Sequence, residues 1–259
     1  MPSSYAHYRF GTELINRLPS GPRRAAERFR RLYDTGQQGP DLLYFYNPFR
    51  EGKAKKLADR YHRTAGADFF AAVREHLPEK LNEGQTAYLF GLLGHYCLYS
   101  VCHPFIDEVT EPGRPHAAIE TEFDRFLMEA DGKRPPYDYS AADTLVLTRG
   151  ECETAAEFYP EAGGFTVRRG IRHMHFFINL LAAPEGFRRK TFEKVFPKIP
   201  KLDGFLMPLG PDPRCRELDA PLTEKYELAL DRSEEMARQL LAFMEGSAPL
   251  GEEFAGIFG

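Results

Sequence analysis

No tryptophan occurs in the 259 residues, and no run of 18 apolar residues is present. The four cysteines contain no CxxC pair, which sets aside thiolate zinc knuckles and dithiol redox motifs. The missing apolar run predicts no membrane span. Alternating β-branched stretches are scarce too; TLVLT at 144–148 is the best of them, so nothing predicts a sheet. The opening MPSSYAHYRFGTELINRL lacks a basic segment followed by an apolar core, so no secretory signal is expected. Cys97, Cys102, Cys152 and Cys215 are therefore expected to be reduced thiols in a cytoplasmic protein. An excess of basic charge is also missing. With 34 Lys and Arg against 38 Asp and Glu, the net charge is −4, which argues against a stable nucleic-acid partner. The local exception, RRAAERFRR at 23–31, spreads five arginines over much of a helix surface and reads as a solvated face.

What the chain has in quantity is aromatic side chains, 21 Phe and 13 Tyr, and helical periodicity. A first helix is expected from Ser3 or Ser4 to about Arg17. GPRRAAERFRRLYD forms a second, with Pro22 in its first turn. A third begins near Asp41 in GPDLLYFYNP and stops at Pro48. EGKAKKLADRYHR and ADFFAAVREHL follow, divided near Gly66. A long buried helix runs from Asn82 or Glu83 to about Cys102, ended by Pro104. Pro115 opens a helix to about Glu129. DTLVLTRGECETAAEFYP supplies one or two more, GGFTVRRGIRHMHFFINLLAA another, and PLTEKYELALDRSEEMARQLLAFMEG the last. The segment 197–221, with six prolines, breaks this rhythm and is expected to be a lid over a site or a strap across the surface. Residues 1–259 thus read as one all-α, multi-helix domain.

Polar residues stand out against this apolar periodicity. In GHYCLYSVCHP, His95, Tyr99 and His103 are four apart and share a helix face. His116 and Glu120 in HAAIE are also four apart, in register with Phe123 and Leu127. Burying imidazoles and carboxylates in apolar helices is costly unless something compensates them, and a metal ion does so. Two His and one Glu match a zinc set with an open position for water. His7 in SYAHYRF, Asp41 after Gly39-Pro40, and His62 at the end of KKLADRYH are further candidates. Asp41 could equally cap a helix. Asp107 is an exposed-turn residue and a reserve ligand. His76 reads as structural at a helix end, and His173 and His175, two apart, do not converge on one face. Tyr44, Phe45, Tyr46 and Tyr96 could line a cleft, with core packing as their default role. Cys97 and Cys102 are expected to pack as small apolar groups.

The order His7, Asp41 in GPD, His62, GHYCLYSVCH, then HAAIE resembles the zinc-dependent phospholipase C family, whose helical fold is shared with the P1/S1-type nucleases. The likeness is greatest to small bacterial members without an export signal. It is specific in the first half of the chain and looser in the second. The resemblance implies a zinc cluster. Asp41, His62 and His95 would hold one ion, His103, His116 and Glu120 a second, and His7 would help to hold a third. It also implies Asp41 as the carboxylate that activates water. The sequence departs from the family pattern at Tyr99, where the family has an aspartate bridging two ions. A phenol with a pKa near ~10 substitutes poorly for that carboxylate. The family also uses a mature N-terminal amine as a ligand; here removal of Met1 would leave Pro2 as the terminus. Both departures weaken the third site and leave two zinc ions expected.

The resemblance implies a phospholipase C-like phosphodiester hydrolase acting on a phospholipid head group or a small soluble phosphodiester. A P1/S1-like nuclease or nucleotidase is the second reading. The third is a non-catalytic helical binding or scaffold protein with a residual structural zinc, which Tyr99 favours. The oligomeric state is left open.

Overall fold

A computed structural model describes residues 4–133, 135–199 and 202–258. These form α1 (Ser4–Leu14), α2 (Ser20–Arg28), α3 (Arg30–Gly36), α4 (Lys53–His62), α5 (Gly66–His76), α6 (Glu83–Val109), α7 (His116–Ala130), α8 (Arg149–Ala156), α9 (Gly163–Leu181), α10 (Phe187–Val195) and α11 (Asp219–Met244), joined by loops and short 3-10 turns. Among the described residues β-structure is confined to isolated bridges, Ala65–Ile257 and Glu111–Arg114. The protein is all-α. TLVLT forms no strand: it ends a 3-10 turn, Ala142–Leu145, and Thr148 becomes the N-cap of α8 in a reciprocal capping box with Glu151. Ser3, the alternative start of the first helix, and Pro200 of the proline-rich segment lie outside the described residues.

The core is built around α6. Asn82 caps it, accepting from the Gln85 N–H while the Gln85 side chain accepts from the Asn82 N–H. Helices α1, α2, α3 and α11 pack around it. Its length and apolar character would suffice to cross a membrane, but 72% of its apolar window is buried inside the protein, where it supplies the central packing surface. Rings fill much of the surrounding space, among them Phe10, Tyr33, Phe70, Tyr88, Tyr96, Phe158 and Tyr226. All four cysteines are free and buried, and Cys97 Sγ lies 3.6 Å from Met236 Sδ, so they do pack as apolar groups.

Several boundaries differ from the periodicity, and α10 is a helix it did not mark. Pro104 does not end the long helix, which continues to Val109. The proline ring lies on an exposed side, the carbonyl that loses its N–H partner belongs to half-buried Ser100, and buried Ile106 holds the added turn against the core. The second expected helix is two, because Phe29 leaves helical geometry (φ −111°, ψ 47°) between α2 and α3. The segment Gly39–Tyr46 is a 3-10 helix. Its backbone packs so closely on α9 that a Cβ at Gly170 would lie 2.2 Å from the Leu42 carbonyl oxygen.

The proline-rich segment is a strap over α7. Thr121 Oγ1 donates to the Gly204 carbonyl (2.6 Å), the Asp212 N–H donates to Glu122 Oε2 (3.0 Å), and Arg189 donates to the Met207 carbonyl (2.8 Å).

Candidate metal centre

Four elements bring candidate ligands together with His116 and Glu120 of α7. The face of α6 carries His95, Tyr99 and His103, as four-residue spacing dictates. The first turn of α1 is tied to α7 by Asp124, which accepts from the N–H groups of Tyr5 (3.1 Å) and Ala6 (2.8 Å). Asp124 stands one turn beyond Glu120, and His7 follows Ala6, so these bonds set His7 beside the α7 ligands. The third element is the 3-10 helix with Asp41. Gly39, at φ +52°, begins it against the His95 ring; a Cβ there would sit 2.4 Å from that imidazole. The fourth is the end of α4, with His62.

His7, Asp41 and His95 form the first group. All three are buried, and a donor atom from each lies within 4.8 Å of the other two. His7 Nδ1, Asp41 Oδ2 and His95 Nε2 have no hydrogen-bond partner. Three unpaired buried polar atoms in one place are costly without a ligand. His95 donates through Nδ1 to the Gln37 carbonyl (3.2 Å), which leaves Nε2 with its lone pair. Burial lowers the pKa of His7 to about 4, and burial with the neighbouring His7 and His62 puts His95 well below its ordinary range. Both are neutral at pH 7, as metal ligands must be.

His62 has a different place from the one the resemblance implies. Its Nε2 donates to Asp41 Oδ1 (2.8 Å) and its Nδ1 to the Ala58 carbonyl (2.7 Å). Two oxygens facing both ring nitrogens suit an imidazolium. Burial alone would lower its pKa, but the Asp41 carboxylate more than offsets that and raises it. His62 thus holds one oxygen of Asp41, and the other, Oδ2, has no hydrogen-bond partner. Asp41 is not a helix cap: Gln38 occupies that position, and the carboxylate turns inward.

His103, His116 and Glu120 form the second group. Glu120 Oε1 lies 3.3 Å from the Nε2 atoms of both His103 and His116. Ligands about 2.0–2.1 Å from a tetrahedral zinc are about 3.3–3.4 Å apart, so these separations fit such an ion. Glu120 is buried, yet the two imidazoles outweigh the desolvation and hold its carboxyl well below the usual range. His116 Nδ1 faces Asp107 Oδ1 at 3.2 Å. Asp107 lies inside α6 rather than in a turn, with its exposed carboxylate behind the His116 ring.

Tyr99 stands between the two groups. Its ring centre is 3.3 Å from that of His103, 4.7 Å from His95, 5.5 Å from His62 and 6.0 Å from His7. Burial, with Asp41 and Glu120 nearby, pushes its phenol well above the ordinary value, so at neutral pH it is a neutral hydroxyl. The N-terminal amine implied as a ligand, at Met1 or Pro2, lies outside the described residues.

The other candidates serve packing. His173 pairs through Nδ1 with the Phe45 carbonyl (3.0 Å), His175 neighbours Asn179, and His76 is exposed at the end of α5. Tyr44 contacts the His62 ring and donates to Asp59 (2.9 Å). Phe45 is buried and Tyr46 lies under Arg169. Tyr96 donates to carbonyls of the C-terminal segment. The sequence pattern does not mark that segment as part of the centre, yet Phe258 is fully buried 5.7 Å from the His95 ring and closes the back of the first group. Asp124 and Gly39 are two further residues that the sequence pattern did not single out. For Asp124 a signal exists: an Asp one turn after Glu120 on an apolar helix face.

No protein-family model matches the chain, and neither the curated proteins nor the solved structures yield a match. Fold and side chains together define an all-α protein with two His–carboxylate groups, one buried and one half-buried, that could hold metal ions.

Proposed function

We propose that this protein is a zinc-dependent phosphodiester hydrolase of the phospholipase C kind. The observation that carries the reading is the convergence of buried His7, Asp41 and His95, each with an unpartnered polar atom, one side chain away from the His103–His116–Glu120 group. His7, Asp41 and His95 would hold one ion, and His103, His116 and Glu120 the other. Bound zinc would supply positive charge against the phosphate and draw the pKa of water toward ~7. Asp41, held through Oδ1 by His62, is placed to orient water or take its proton. Glu120 balances charge between His103 and His116. Leu98, Cys102, Ile106, Phe123 and Leu222 wall the small cavity at this centre and limit water to the reacting side.

Metal analysis of the purified protein, paired with turnover of a chromogenic phosphodiester, tests this. Two zinc ions per chain with turnover abolished by a chelator is the expected result. Phosphocholine esters should be cleaved in preference to single-stranded nucleic acid. A metal-free protein that takes up no zinc would end the proposal. The scaffold reading has one observation in its favour, the neutral Tyr99 ring between the groups, and would be carried by a single tightly held zinc without turnover.

A further inference from the structure

The outer face of α9 combines charges and rings that the metal centre does not use. Phe165, Arg168, Arg169, Arg172, His173 and Phe176 line one surface groove. At about 100° per residue they fall within an arc of about 140°. The buried positions Val167, Gly170, Ile171 and Met174 lie opposite and pack against the core. Phe165 is 61% exposed and Phe176 57%. They are eleven residues apart, roughly 16 Å along the axis. None of Arg168, Arg169 and Arg172 has a carboxylate partner among the described residues, whereas Arg9, Arg30, Arg114, Arg125 and Arg214 all do. Phe49, 65% exposed, packs edge-on against Phe177 and extends the apolar part of the face.

We propose that this face of α9 docks the protein on a bilayer containing anionic phospholipid, the arginines meeting lipid phosphates and the phenylalanines entering the acyl boundary. Helices that lie in a membrane interface carry this pairing of basic and apolar side chains. The net charge of −4 does not oppose it, because charge beyond ~10 Å is screened at ordinary salt and only the docking face is felt. Three exposed rings, Phe49, Phe165 and Phe176, give the face an apolar extent that suits an acyl boundary, and stacking of single-stranded bases on the same rings is the competing outcome of the test. The surface lies behind the 3-10 helix that carries Asp41, so it deepens the phospholipase reading by naming a lipid surface as the substrate's setting, but its test does not depend on turnover.

Co-sedimentation of the intact protein with vesicles, neutral phosphatidylcholine against phosphatidylcholine with phosphatidylserine, measures docking. Binding is expected to the anionic vesicles and to be weak with neutral ones. Arg168→Gln with Arg172→Gln should weaken it roughly tenfold or more. Arg168→Lys with Arg172→Lys should retain most of it, and Phe165→Ser with Phe176→Ser should weaken it on both vesicle types. Circular dichroism, zinc content and turnover of a soluble phosphodiester should be unchanged in all variants, so loss of docking and loss of the catalytic reading are separable. Absence of sedimentation, indifference to both the Gln and Ser pairs, or tighter binding to a single-stranded oligonucleotide that competes with vesicles would overturn the proposal.

Discussion

Four imidazole rings surround the phenol of Tyr99, which stands between the two candidate groups. A neutral ring packed 3.3 Å from His103 and 4.7 Å from His95 stands where the resemblance would place a carboxylate joining two ions. Tyr99→Asp is expected to raise bound zinc per chain or strengthen the second equivalent, read by titration with a zinc indicator; unchanged stoichiometry and affinity would show that the position is not a ligand site. His7 gives a prediction in pH. Its pKa falls from 6.5 in the unfolded chain to about 4 in the fold, so between these values the unfolded state binds the extra proton. Stability is therefore complete above pH 6.5 and declines toward pH 4, by roughly 3 kcal/mol from this residue. Denaturant melts of chelated protein should show that slope, and His7→Phe should flatten it. At this scale the ligand types were legible, because polar residues repeated every four positions on an apolar helix face are too costly to bury without a ligand. Their pairing was not. Nothing local tells His62 that its ring will meet Asp41 Oδ1, leaving Oδ2 without a partner.

At the scale of elements, α6 and α7 could be read almost entire from their caps and periodicity. The error at Pro104 has a physical source: a proline costs one backbone bond, and the burial of Ile106 and the rest of the α6 face outweighs that loss. The 3-10 helix Gly39–Tyr46 was the least legible, since its geometry comes from α9 pressing Gly170 against Leu42. Gly170→Ala tests that support. The added methyl must push the Leu42 carbonyl aside, so a loss of about 1–3 kcal/mol is expected, with weaker zinc binding through displaced Asp41. Full stability with intact metal affinity would show that the segment is positioned by other contacts.

For the whole molecule, the two groups draw their side chains from α1, the 3-10 helix, α6 and α7, so the proposed ions would bind only when these are assembled. Zinc at about 100 times its dissociation constant should stabilise the fold by about 2.7 kcal/mol and raise Tm by roughly 5–10 °C, reversed by chelation. A Tm insensitive to zinc and chelator would mean that the groups are not ion sites. By itself the sequence determined the helical class, most element boundaries, and the faces shared by His95, Tyr99 and His103 and by His116 and Glu120, because these follow from a 3.6-residue period. The tertiary structure alone decided that His7 joins Asp41 and His95, that His62 stands behind them, that Asp107 backs His116, and that Phe258 seals the site. Those outcomes depend on how helices cross and which lone pairs remain unclaimed, and neither is a property of any single segment.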